Sequence, residues 1–205
     1  MWFAWVGDNA GATERFAREL LSSDERHHLN GYRIREAAER YIVTRALVRS
    51  VLSERLGIAA PGIRVSRTDT GKPIVTEGVH FNVSHSGDLV LLAVSDDQPV
   101  GVDIERKRPV LKVNALTQRW LSDLERANLA RLRELGIDES DSFLRIWSLK
   151  EAQLKALGVG ISGSARAELD RVHVMPLDEL LDPLSGPRDR GGYVGAIAFA
   201  SPAPG

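Results

Sequence analysis

Apolar residues recur at helical spacing from about Tyr32 to Leu56, where Ile34, Ala37, Ala38, Tyr41, Ile42, Ala46, Val48, Leu52 and Leu56 follow a 3.6-residue period. The pattern predicts one long helix, closed by Gly57 at its C′ position. Shorter helices are expected over 12–21 and near 113–121, 123–135 and 141–157. Strand patterns fall at Trp2–Val6, Ile63–Val65, Phe81–Ser84, the apolar run Leu89–Val94, Val100–Glu105, Arg171–Met175 and Tyr193–Ala200. Thr70-Gly71-Lys72-Pro73 carries turn chemistry, and so does Ser95-Asp96-Asp97-Gln98-Pro99. The second turn predicts a hairpin joining Leu89–Val94 to Val100–Glu105. A Pro/Gly-rich loop over 182–192 partly joins the last two strands, and residues 201–205 are expected to fray.

This mixture predicts an α+β fold. No close sequence repeat stands out, yet each half contains strands and one long helix. The expectation is two similar α/β halves packed together, about 1–105 and 106–200, with Arg106-Lys107-Arg108-Pro109 as the seam.

Composition narrows the classes. The 205 residues are 43% hydrophobic and 27% charged, enough for a core and ordinary for a globular domain. A net charge of -1 argues against nucleic-acid binding by bulk electrostatics. The absence of cysteine excludes thiol catalysis, disulfides and thiolate metal sites. Met1–Gly7 lacks the basic start of a signal peptide, and no apolar run reaches the roughly 18 residues of a membrane span. These features predict a cytoplasmic protein with no membrane or nucleic-acid partner. A monomer is expected, since the second half can supply the packing partner that a dimer would provide.

Val100-Gly-Val-Asp-Ile-Glu105 carries the sharpest chemistry. In a strand, Val102 and Ile104 point to one side and Asp103 and Glu105 to the other, about 7 Å apart. Such a pair is expensive to bury without a positive group between the carboxylates, and a hard divalent cation meets that need. An exposed edge strand carrying charges for solubility is the simpler alternative. On the helix around Trp147-Ser-Leu-Lys-Glu151, Phe143, Trp147, Lys150, Glu151 and Leu154 share one face. Lys155 lies one turn past Glu151, so the two can reach one site or form a surface pair. Ser84-His85-Ser86-Gly87 is either a phosphate-binding turn or a plain polar one. Glu125 completes Ser122-x-x-Glu, a capping box with a structural job of its own. Arg33, Arg35, Arg40, Arg45 and Arg49 form a basic stripe that reads as a solvated face, with interest only in Arg40 and Arg45 near a phosphate.

Four segments in order, Gly-Lys-Pro (71–73), Phe-Asn-Val-Ser-His-Ser (81–86), Gly-Val-Asp-Ile-Glu (101–105) and Trp-Ser-Leu-Lys-Glu-Ala-x-x-Lys-Ala-x-Gly (147–158), resemble the Sfp-type 4′-phosphopantetheinyl transferases. The resemblance runs from about Ser23 to Ala200. It implies one transferase unit over 1–205, with two halves related by a pseudo-twofold axis and coenzyme A in the cleft between them. It further implies transfer of the phosphopantetheine arm to a serine of an apo acyl, peptidyl or aryl carrier protein, releasing adenosine 3′,5′-bisphosphate. By position, Asp103, Glu105 and Glu151 match ligands of Mg²⁺, with Mn²⁺ as a substitute, and Glu151 also matches a base. Glu125 falls where some members add an acidic ligand. Lys155 matches a pyrophosphate contact, Arg40 and His85 lie near the 3′-phosphate, and Lys72 and Ser84 match further coenzyme A contacts. One segment departs: Glu25 and His28 stand where many members carry basic residues, leaving Arg26 and Arg40 as substitutes. A catalytically weak coenzyme A-binding regulator and a Mg²⁺-dependent phosphohydrolase are the competing readings.

Overall fold

The computed structural model describes residues 1–76, 78–160, 169–181 and 192–201, and the chain divides into two compact units, Met1–Asp97 and Gln98–Gly205. Most of the expected 182–192 loop and of the 201–205 tail lies outside the described residues. Among the described residues no helix is long and apolar enough to cross a membrane.

The first unit opens with β1 (Trp2–Trp5), α1 (Val6–Asn9), α2 (Thr13–Glu19), α3 (Ser23–Leu29) and α4 (Arg35–Leu56). Then come β2 (Ser66–Arg67), β3 (Pro73–Ile74), β4 (His80–Ser86) and β5 (Leu89–Ser95). An antiparallel sheet has the order β1-β5-β4, and β2 pairs with β3. Central β5 is apolar along nearly its whole length because Leu89 to Ala93 are all buried. The Gly87-Asp88 loop turns β4 into β5, with Gly87 at φ +55°, a value that two-residue hairpin loops require and other residues resist. Val48, Val51 and Leu52 of α4 pack with Phe81 and Leu92. Gly57 ends α4 in the left-handed conformation, as its place after the last apolar position predicts.

Two expectations fail here. Ile63–Val65 forms no strand: the Ile63 carbonyl accepts from an Arg49 guanidinium nitrogen at 3.2 Å, so its backbone is satisfied without a neighbouring strand. Arg49 is also no part of a solvated stripe. It is 2% exposed and pairs with Glu25, because its nitrogens further satisfy the Ala60 and Ile63 carbonyls.

The second unit contains β6 (Val100–Arg106), α5 (Val113–Trp120), α6 (Asp123–Glu134), α7 (Glu139–Leu157), β7 (Val172–Pro176), α8 (Asp178–Leu181) and β8 (Tyr193–Ala200). Its antiparallel sheet has the order β6-β8-β7. The hairpin expected between β5 and β6 does not form. Both edges of β5 are taken by β1 and β4, and β6 pairs instead with β8, placing Asp103 opposite Ala196. The division therefore falls at Asp97/Gln98, and β6 belongs to the second unit rather than to the first half.

Each unit carries the same short device. Leu21-Ser22-Ser23-Asp24-Glu25-Arg26 and Leu121-Ser122-Asp123-Leu124-Glu125-Arg126 share the pattern Leu-Ser-x-x-Glu-Arg. In both, the serine hydroxyl accepts from the glutamate N–H at 3.3 Å, and the glutamate carboxylate accepts from the serine N–H. In both, the arginine donates to the leucine carbonyl. Each box starts a helix that precedes the long one, α4 or α7, and each long helix ends on a left-handed glycine.

Candidate active site

The approach of α7 to β6 begins with small residues. A Cβ on Gly101 would lie 2.1 Å from the Ala152 carbonyl oxygen and 2.3 Å from the Ala156 nitrogen, so only glycine lets the helix come this close. Ala152 and Ala156 pack with Ala196, Ala198 and Ala200 of β8. The alternation along β6 puts Asp103 on the Gly101 face, and Lys155 Nζ lies 2.6 Å from Asp103 Oδ1. Asp103 is buried while the Lys155 side chain stays 28% exposed, so this ion pair is only partly removed from water. Gly101 is a position on which the approach of α7 to β6 depends, one that the motif contains but that strand alternation alone does not single out. Its signal is an isolated glycine inside a strand, which marks a close backbone approach.

Glu151 is on the same helix, one turn before Lys155. Burial pushes its carboxyl above the ordinary value; Lys155 pulls the other way, and the charges of Asp103 and Glu105 push up again. Lys155, Asp103 and Glu105 thus all act electrostatically on Glu151, a grouping that spacing gave only as two separate pairs. The alternative surface pair does not form, since Lys155 is drawn to Asp103. Arg108 approaches Glu105 at 3.7 Å. Trp147 stacks on Phe143 with ring centroids 5.8 Å apart, fixing the apolar part of this helix face.

Glu125 does cap its helix. Its Oε2 accepts from the Ser122 N–H at 2.6 Å, and both carboxylate oxygens receive the Lys150 ammonium, at 3.1 and 3.0 Å.

Among the described residues, no three Asp, Glu, His or Cys side chains stand close enough to share an ion. The donor chemistry of Asp103, Glu105 and Glu151 nevertheless fits a hard divalent cation: all are carboxylate oxygens, and their mutual repulsion at Glu151 is what such a cation relieves.

In the first unit, Arg40 and His85 line a common cavity of about 310 Å³, together with Tyr41, Arg45 and Arg67. Ser84 is buried and His85 exposed, as alternation along β4 requires. Lys72 lies next to the β2–β3 turn, and burial lowers its ammonium to about 8. In the segment that departs from the resemblance, Glu25 is engaged by Ser22, Arg49 and Arg45, and Arg26 donates to Leu21 within its own cap. Of the two substitutes for the missing basic residues, Arg40 is the one that faces the cavity.

Residues 10–97 match the family model of the 4′-phosphopantetheinyl transferase N-terminal region, and residues 99–181 that of the 4′-phosphopantetheinyl transferase superfamily. The chain belongs to the Sfp-type 4′-phosphopantetheinyl transferase family. The two matches meet where the chain divides into its units. Among relatives in this transferase family, the chain is 34% identical to the 4′-phosphopantetheinyl transferase Sfp of Bacillus subtilis, over 73% of this chain and 65% of that protein. It is 34% identical to the 4′-phosphopantetheinyl transferase HetI of Nostoc sp., over 73% and 64%. It is 30% identical to a further 4′-phosphopantetheinyl transferase of Bacillus subtilis, over 75% and 67%. The chain thus spans just under two thirds of the length of the first two.

Proposed function

We propose that this protein transfers the 4′-phosphopantetheine arm of coenzyme A to a serine of an apo acyl, peptidyl or aryl carrier protein. The carrier Oγ attacks the β-phosphorus of coenzyme A, the pyrophosphate P–O bond breaks, adenosine 3′,5′-bisphosphate leaves, and the serine proton passes to a base. The observation that carries this reading is the Lys155–Asp103 pair at 2.6 Å beside Glu151, in a chain of this family.

Asp103, Glu105 and Glu151 would hold Mg²⁺ or Mn²⁺, which supplies charge neutralisation for the pyrophosphate. Lys155 carries a positive charge to the departing bisphosphate. Glu151, its proton affinity raised by burial, orients the carrier serine or a water that takes its proton. Arg40 and His85 suit the 3′-phosphate, and Lys72 and Ser84 serve as further coenzyme A contacts.

The test is to incubate the protein with coenzyme A, Mg²⁺ and a panel of apo-carriers, and to weigh the carriers. A gain of one phosphopantetheine is expected, abolished by a chelator. Glu151→Gln should reduce turnover far more than coenzyme A binding, and near-normal turnover at saturating substrate would remove Glu151 from this role. Coenzyme A hydrolysis without a carrier would favour the phosphohydrolase, and binding without turnover the regulator.

A further inference from the structure

We propose that Glu125 is a positioning residue that keeps the Lys150 ammonium off Glu151, leaving Glu151 open to a divalent cation, and that Glu125 is not itself a ligand. This rests on the reading of Asp103, Glu105 and Glu151 as the metal-holding set.

The geometry assigns each lysine of α7 its own carboxylate. Lys155 is on Asp103 at 2.6 Å, and Lys150 is on both oxygens of Glu125 at 3.1 and 3.0 Å. Glu151 lies between them in sequence and, among the described residues, forms no salt bridge. Lys150 is its immediate neighbour, near enough for its charge to bear on the Glu151 carboxylate. The Lys150–Glu125 pair is mostly buried, with side chains 14% and 17% exposed, so neither charge is simply left to solvent. An ammonium released there can turn to the next carboxylate, Glu151, and compete with a cation for it, as Lys155 already does at Asp103.

The first unit supports the assignment independently. Its Glu25, in the same Leu-Ser-x-x-Glu-Arg pattern, is likewise consumed by a helix cap and a cation from the long helix. There the cation is Arg49 and the next residue is Ser50, with no carboxylate to guard. The carboxylate of this device has the cap and the clamp as its work in both units, and only the second has a carboxylate beside the clamped cation.

The test compares the whole protein with Glu125→Gln, Lys150→Met and the double variant, reading Mn²⁺ binding to the protein alone by electron paramagnetic resonance. Thermal melting is recorded alongside. Glutamine can still complete a capping box, so Glu125→Gln is expected to fold. It should weaken Mn²⁺ binding about tenfold, the scale of an outer-shell loss. The double variant should recover to within about threefold of the parent, because no loose ammonium remains. A double variant as weak as Glu125→Gln would make Glu125 a ligand and overturn the proposal. Glu125→Gln binding Mn²⁺ like the parent would overturn it as well. A parent that binds no Mn²⁺, or a Glu151→Gln variant that binds it undiminished, would instead bring down the metal-holding set on which the proposal rests.

Discussion

In the first unit the carboxylate of Glu25 meets Arg49, whose guanidinium continues to the carbonyls of Ala60 and Ile63. In the second the carboxylate of Glu125 meets Lys150, and the next residue along the helix is Glu151. The helix cap is the same; the cation differs. Arginine has enough donors to knit one carboxylate and two backbone oxygens into a buried knot. Lysine is a point charge that one carboxylate can hold and another can take over. The two long helices differ in a parallel way. α4 packs through Val48, Val51 and Leu52, whereas α7 packs through Ala152 and Ala156 onto Gly101, Ala196 and Ala198. Bulky contacts build a core, and small ones bring a charged helix within reach of the charged strand. The same plan thus serves stability in one unit and candidate chemistry in the other.

The sharpest way to break this contrast is to remove both cations and compare. Arg49→Leu leaves the Glu25 carboxylate with only Ser22 and Arg45, takes the guanidinium donor from two backbone carbonyls, and should cost about 3–5 kcal/mol in denaturant unfolding. Lys150→Met should cost about 2 kcal/mol or less, since its pair is more exposed. Equal losses would erase the distinction between knot and clamp.

Next in size is Gly101→Ala. A methyl group there meets helix backbone, not a flexible side chain, so α7 must shift and about 3 kcal/mol of stability should go, with activity. Gly11→Ala in the first unit meets nothing within 4 Å and should stay within about 0.5 kcal/mol of the parent. A Gly101→Ala protein as stable and active as the parent would show that close packing of α7 is not what assembles the charged cluster.

The smallest effect concerns Lys72. Its ammonium titrates near 8 because burial disfavours the charge. Coenzyme A affinity should therefore decline a few-fold, roughly, as pH rises through about 8, and Lys72→Arg should flatten that decline. Stability moves the opposite way. Between about 8 and 10.5 the unfolded chain binds a proton that the folded one lacks, so stability rises with pH across that window. An unchanged decline in Lys72→Arg, followed by calorimetry, would assign it to another group.

Local features were legible in the sequence, because their causes are local. The 3.6-residue period marked α4, Gly57 marked its end, Ser122 and Glu125 spelled out their cap, and alternation put Asp103 and Glu105 on one face. What escaped depends on distant partners. Nothing near Val100 indicates that its strand pairs with Tyr193–Ala200 rather than with the adjacent Leu89–Ser95. Gly101 gains its meaning only when Ala152 and Ala156 are set against it. Arg49 looked solvated because it continues the arginine stripe of 33, 35, 40 and 45, while its real partners, Glu25, Ala60 and Ile63, arrive from other segments. The Leu-Ser-x-x-Glu-Arg repeat is too short to register beside the divergence around it.

The pairing of β6 with β8 also sets a timetable. The strand bearing Asp103 and Glu105 leaves the ribosome long before its partner at Tyr193–Ala200 exists, a wait on the order of ten seconds at ordinary elongation rates. For that interval Val100, Val102 and Ile104 are a naked sticky strip, and the acidic side chains interleaved with them act as its gatekeepers against clumping. The residues proposed to gather a metal in the finished molecule would thus first have guarded the nascent one.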